Sequence, residues 1–176
     1  MQAVAAEADV SVGLIYRYFG GKHELLLAVI VNVLEDFATT VPAAVDAAGD
    51  DAVERLAAAF RAYCEVIDRH RHATVLTYRE SKSLDDAGRD RIKKLEVETT
   101  QPLVRVLREG IDAGILRPVD PEMVAYNLLL IAHAWALKHW YFQRTLSFED
   151  YVGNQLSLAL NGLIEPHQQH RYARLL

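Results

Sequence analysis

Cysteine and long uncharged apolar runs are scarce in this chain of 176 residues. The single cysteine, Cys64, excludes an intramolecular disulfide and a zinc site built from cysteines. The longest uncharged apolar stretch, residues 123–137, has 15 residues, fewer than the roughly 18 to 20 that span a bilayer. No signal peptide is visible at Met1. We therefore predict a cytoplasmic protein with no membrane partner.

Patterns typical of catalysis and of metal binding are also missing. No combination of serine, histidine and acid and no glycine-rich phosphate loop stands out, so we predict that the chain is not an enzyme. The pairs His70/His72 and His167/His170 have neither cysteines nor a carboxylate cluster at ligand spacing. We therefore predict no metal and no cofactor.

Period-2 alternation of β-branched residues is absent as well, and alanine, leucine, glutamate and arginine dominate, so the predicted fold class is all-α. Glycine and proline divide the chain into about eight helices. Pro102 must either kink or split the sixth of them. The tail from Pro166 is polar and is expected to fray. The predicted helices are residues 2–8, 12–19, 22–41, 51–69, 72–83, 87–113, 121–143 and 148–162.

The net charge of −5 argues against general coating of nucleic acid but leaves room for a small DNA-reading surface. The first two predicted helices are joined by three residues, 9–11, of which Ser11 is an N-cap. In the second helix Ile15 and Phe19 lie four residues apart and share an inner face. The opposite stripe contains residues suited to contact a phosphate or a base edge. These are Val12, Gly13, Tyr16 and Arg17, followed by Lys22 at the start of the next helix.

Residues 5–19, AAEADVSVGLIYRYF, followed by GKHELL at 21–26, resemble the helix-turn-helix of TetR-family transcriptional regulators. The resemblance implies that the second helix enters the major groove of double-stranded operator DNA, with Tyr16 and Lys22 gripping phosphates. Ser11, Val12, Gly13 and Arg17 would then lie nearest the DNA. The alternative interpretation of the same residues is a plain pair of helices joined by a short turn.

The front of the motif departs from the family pattern. Family members begin with one more helix, whereas Met1 already falls within the first helix of the motif, so that helix is expected to be missing here. Residues 1–24 carry two basic residues, Arg17 and Lys22, and three acidic ones, a net charge of −1. A DNA-binding face usually carries more positive charge.

The remainder of the chain is predicted to be a helical body. We divide the chain into an incomplete DNA-binding part, residues 1–24, and a ligand-binding and dimerisation domain, residues 25–176, joined by a long helix that begins near residue 22. An apolar interior with several hydroxyl and aromatic groups is what a small-molecule pocket needs. The candidate ligand-binding residues are Phe60, Tyr63, Cys64, Ile67, Tyr78, Leu107, Tyr126 and Trp135.

The predicted helix 121–143 is apolar almost all round and therefore requires burial on more than one side. Together with the last helix it is expected to form the interface of a homodimer. The candidate interface residues are Leu137, Trp140, Tyr151, Leu156 and Leu160.

Two classes of function follow from these observations. The first is a ligand-responsive, DNA-binding transcriptional regulator, a repressor released from a palindromic operator by a small apolar or amphipathic effector. The second is a helical small-molecule-binding or interaction domain that no longer binds DNA.

Overall fold

A computed structural model describes all 176 residues and confirms the all-α prediction. The chain forms nine α-helices and two short 3-10 turns. It has no β-strand, and a single isolated β-bridge joins Leu116 to Ile164. The helices are α1 Gln2–Glu7, α2 Val12–Phe19, α3 Lys22–Ala47, α4 Ala52–Arg69, α5 Arg71–Glu80, α6 Asp86–Asp112, α7 Pro121–Leu137, α8 His139–Phe142 and α9 Phe148–Leu163.

Side-chain caps begin most of the long helices, because an acceptor there satisfies backbone amides that have no helical partner. The predicted cap at Ser11 is confirmed. Asp51, Asp120 and Ser147 cap α4, α7 and α9, and Ser147 forms a capping box with Asp150.

The two internal prolines do not end their helices. Helix α3 continues through Pro42 to Ala47, and α6 continues through Pro102 without splitting. Val41 and Val45 on either side of Pro42 are buried, so packing favours continuation of α3 beyond the predicted end. The predicted helix 121–143 instead divides at Lys138 into α7 and α8.

Helix α4 lies at the centre of the body and packs against α3, α6, α7 and α9. The hydrophobic core of 37 buried residues begins at Leu26, whereas the buried residues of α1 and α2, Ala5 and Ile15, lie outside it. By length and composition alone α3 could span a bilayer. Its apolar composition has another explanation, since it contributes eight buried residues and packs on α4 and α6.

The prediction of a frayed tail is wrong. The Tyr172 side chain is buried, and its hydroxyl donates a hydrogen bond of 2.8 Å to Oδ2 of Asp51, the N-cap of α4. Arg174 forms an ion pair of 2.6 Å with Glu54. These contacts fix the end of the chain to the first turn of α4.

Candidate functional site

Helices α1 and α2 form a helix-turn-helix at one end of the molecule. The turn contains Asp9 in the left-handed region with a φ of 52°, and the Ser11 hydroxyl oxygen then accepts a hydrogen bond of 3.1 Å from the amide of Leu14. Ile15 is buried between the helices, as its spacing predicts, whereas Phe19, predicted to share that inner face, is 37% exposed. Gly20, with a φ of 76°, ends α2 and turns the chain into α3.

The outward stripe of α2 is accessible to a partner. Tyr16 is 48% exposed, and Arg17 and Gly13 are exposed too, while Val12 is half-buried. A Cβ on Gly13 would meet nothing closer than the Ser11 hydroxyl at 4.0 Å. The packing of this chain therefore gives no reason for a glycine inside a helix, where it costs about 0.5 to 1 kcal/mol relative to alanine.

Lys22 lies at the junction between α2 and α3, and its side chain is 70% exposed. Its Nζ atom is 4.0 Å from Oε2 of Glu80, the last residue of α5. The terminus of α3 is therefore in electrostatic contact with a second helix of the body.

A cavity of about 350 Å³ lies within the body, between α3, α4, α5, α6 and α7. Its apolar floor comes mainly from α3 and α4, and its polar residues come from α5, α6, α7 and the 3-10 turn that follows α5. The lining residues are Ile30, Val33, Leu34, Phe37, Tyr63, Ile67, Thr74, Thr77, Tyr78, Ser81, Arg89, Ile92, Lys93, Glu96 and His133.

The polar side of the cavity contains groups whose protonation is shifted by burial. Burial lowers the pKa of His133 to about 4, so its imidazole is neutral at pH 7, and its Nδ1 atom lies 2.8 Å from the Tyr78 hydroxyl. Burial raises the pKa of the Glu96 carboxyl. Burial raises the pKa of Tyr78 as well, and the nearby Glu96 carboxylate adds to the effect. The cavity therefore offers hydrogen-bonding groups beside a hydrocarbon floor.

Two family descriptions cover most of the chain. Residues 1–29 match bacterial regulatory proteins of the tetR family, and residues 49–163 match the tetracyclin repressor-like C-terminal domain. The HTH-type transcriptional regulator HbdR of Aromatoleum sp. (strain CIB) is 41% identical over 163 residues, which are 93% of this chain and 69% of HbdR. The chain belongs to the TetR family of transcriptional regulators.

Solved structures of the TetR family share this fold. PfmR of Thermus thermophilus aligns with a TM-score of 0.80 at 22% identity, over 92% of this chain and 87% of PfmR. AibR, in a complex with isovaleryl coenzyme A and operator DNA, aligns with a TM-score of 0.74 at 21% identity, over 89% of this chain and 84% of AibR. The helix-turn-helix joined by a long helix to a helical body is thus the TetR arrangement.

The eight candidate ligand-binding residues divide into two groups. Tyr63, Ile67 and Tyr78 line the cavity. The others do not line it: Phe60, Cys64, Leu107 and Trp135 are buried in the core, and Tyr126 is 37% exposed. Trp135 is held there by a hydrogen bond of 2.7 Å from its indole nitrogen to Asp68. Helical periodicity distinguishes an inner face from an outer one, but does not distinguish a packed interior from an open one.

Most of the polar lining of the cavity was not predicted from the sequence. Arg89, Lys93 and Glu96 occupy one face of α6 at intervals of four and three residues and all line the cavity. That spacing was visible in the sequence, yet charged residues at helical intervals usually lie on a solvated face. His133 also lines the cavity, from α7.

Three of the five candidate dimer residues lie in the interior of this TetR-family chain. Tyr151, Leu156 and Leu160 are at most 2% exposed, because the inner face of α9 packs on α4 and α7, so they do not reach a partner's surface. Leu137 is half-buried and Trp140 is 64% exposed. The exposed apolar residues of α7 and α9 are instead Met123, Tyr126, Leu130 and Leu158.

Proposed function

We propose that this TetR-family regulator is a repressor whose affinity for a palindromic operator falls when a small apolar or amphipathic molecule occupies the cavity. One observation carries the proposal: α3 begins at Lys22 beside the exposed stripe of α2 and then lines the cavity with Ile30, Val33, Leu34 and Phe37. A ligand that favours a different position of α3 changes the position of the DNA-binding end as well. Such coupling between two sites is reciprocal and typically amounts to about 1 to 3 kcal/mol.

The exposed stripe of α2 supports major-groove binding. Gly13 leaves space that no atom of the chain fills, so the backbone of α2 can approach a base edge closely. Tyr16 offers a hydroxyl and Lys22 an ammonium group to phosphates, and Arg17 can reach a phosphate or a guanine. Ser11 and Val12, at the first turn of α2, would also lie against the DNA and help to position α2 in the groove.

A second contact supports communication between the two sites. Glu80 ends the helix that supplies Thr74, Thr77 and Tyr78 to the cavity, and its carboxylate faces Lys22. A phosphate that binds Lys22 competes with Glu80 for the same ammonium group. A ligand that displaces α5 therefore alters the competition.

The proposed dimer would form through the exposed apolar residues of α7 and α9. The exposed apolar residues Met123, Leu130 and Leu158 lie on α7 and α9, two helices that pack together, and burying them against a second copy would remove apolar surface from water. Two-fold symmetry then requires a palindromic operator.

A regulator that binds operator DNA acts in the cytoplasm, and we assign this one there.

AibR supports the pairing of effector and DNA in one fold, since that protein forms a complex with both isovaleryl coenzyme A and operator DNA. In this chain the apolar floor of the cavity suits a hydrocarbon group and its polar residues suit a hydrogen-bonding one. We therefore propose an effector of about the size of the cavity with one apolar and one polar end.

Selection of duplexes from random DNA, followed by salt titration of the selected operator, tests the proposal. Lys22→Gln should weaken binding and reduce the slope of log K against log salt by about one unit for each lost phosphate contact. Lys94→Gln is the matched control, because Lys94 is an exposed lysine on α6, on a different helix from the motif. Equal slopes for both variants, or failure to select any duplex, would favour a small-molecule-binding domain that does not bind DNA.

A further inference from the structure

Glu96 is the only acidic residue that lines the cavity, and its carboxylate has no partner within the chain. It forms no ion pair, and burial alone accounts for the shift of its pKa. The carboxylates that pair with the two cations of the lining face solvent instead: Asp86 pairs with Arg89, and Asp90 pairs with Lys93 at 3.0 Å. Glu96 is half-buried and its carboxylate accepts no hydrogen bond from the chain, so a ligand that supplies a donor would form a hydrogen bond to a charged acceptor there.

The aromatic groups beside Glu96 are uncharged at pH 7. The His133 imidazole is neutral, and its Nδ1 atom is engaged with the Tyr78 hydroxyl at 2.8 Å. Glu96 also lies close enough to Tyr63 and Tyr78 for its charge to raise the pKa of both phenols. This side of the cavity therefore suits a donor from the ligand.

The charge distribution decides which kind of donor fits. Arg89 and Lys93 line the cavity two turns and one turn before Glu96 on the same helix, with side chains 38% and 72% exposed, and the carboxylates that pair with them are 93% and 74% exposed. A ligand ammonium group would gain one carboxylate but would face two cations. A neutral hydroxyl group gains a hydrogen bond to a charged acceptor without that repulsion.

We propose that the cavity selects an apolar molecule bearing a neutral hydroxyl group, which donates a hydrogen bond to Glu96 while the hydrocarbon body lies on the α3 and α4 floor. The proposal rests on the function proposed above only in taking this cavity as the effector site. Glu96 is then the residue that distinguishes a hydroxylated effector from its deoxy analogue.

Titration calorimetry with three small probes of similar size tests the proposal: phenol, toluene and benzylamine. We compare the ratio of the toluene Kd to the phenol Kd between protein variants. The free-energy cost of transferring each probe from water is the same for every variant, so it cancels in this comparison. Glu96→Leu should lower this ratio by about tenfold, the effect of losing one hydrogen bond to a charged acceptor. Glu96→Gln keeps a neutral acceptor and should give an intermediate ratio.

Glu98→Leu is the matched control, since Glu98 lies two residues further along α6, is exposed and does not line the cavity. Its ratio should stay within about twofold of the unaltered protein. An unchanged ratio in Glu96→Leu, tighter binding of benzylamine than of phenol, or no binding of any probe would overturn the proposal. Operator binding in the absence of probe is measured separately, so a failure here is distinguishable from a failure of the DNA-binding function.

Discussion

Replacing Glu80 with glutamine should strengthen binding of the operator, although Glu80 lies in the body and not in the helix-turn-helix. The substitution keeps the size of the side chain and removes its charge, so Lys22 loses its one partner in the chain. If Lys22 contacts a phosphate as proposed, that phosphate no longer has to displace a carboxylate.

The magnitude follows from the separation and the exposure of the pair. Two unit charges 4.0 Å apart interact by about 1 kcal/mol in water, and exposed pairs usually contribute less. Operator affinity should therefore rise about two- to fivefold at low salt. Because the screening length is about 10 Å at 0.1 M salt and about 3 Å at 1 M, the gain should disappear as salt is added.

A double-mutant cycle measured by fluorescence anisotropy isolates the pair. The gain from Glu80→Gln should vanish when Lys22 is already glutamine, because no ammonium group remains to release. Glu98→Gln makes the same change of charge on a different helix and should leave affinity within about 1.5-fold. An equal gain with and without Lys22, or weaker binding of DNA by Glu80→Gln, would refute the competition.

Three further predictions concern the body. Asp51→Ala removes both the cap of α4 and the acceptor for Tyr172, so the free energy of unfolding in urea should fall by about 2 kcal/mol, and an unchanged value would contradict both contributions. Burial raises the pKa of Glu96 above its unfolded value, so ionisation costs stability as pH rises through the folded pKa. The melting temperature of Glu96→Gln minus that of the unaltered protein should therefore increase from acidic to neutral pH. A difference that does not change with pH would contradict the raised pKa of Glu96. Leu158→Lys places a charge on the exposed face of α9 and should convert the proposed dimer to a monomer in sedimentation at micromolar concentration, and a dimer in this variant would place the interface elsewhere.

The sequence was most informative where local rules dominate. The cap at Ser11 was identified because an acceptor side chain before an apolar periodic segment has a local physical role. Proline was misleading at position 42, since buried valines on both sides keep α3 intact. Tertiary packing there outweighs a local preference.

The cavity could be predicted only in part. Tyr63, Ile67 and Tyr78 were expected to contact ligand, and they line the cavity, whereas Phe60 and Cys64 occupy the same helix as Tyr63 but pack into the core. A rotation of less than one helical turn separates the two environments. Which of them is open depends on how five helices meet, and that information is distributed over the whole chain.

Operator affinity with the cavity filled is the measurement that tests the account most directly. Thr77→Trp adds a large side chain inside the cavity, whereas Leu76→Trp adds the same group at the neighbouring position on α5, which is 40% exposed and does not line the cavity. If occupancy of the cavity controls α3 and α5, Thr77→Trp should reduce operator affinity by about 5- to 150-fold, and Leu76→Trp should not. Equal affinities for the two variants, with both proteins folded, would contradict the claim that the cavity governs DNA binding.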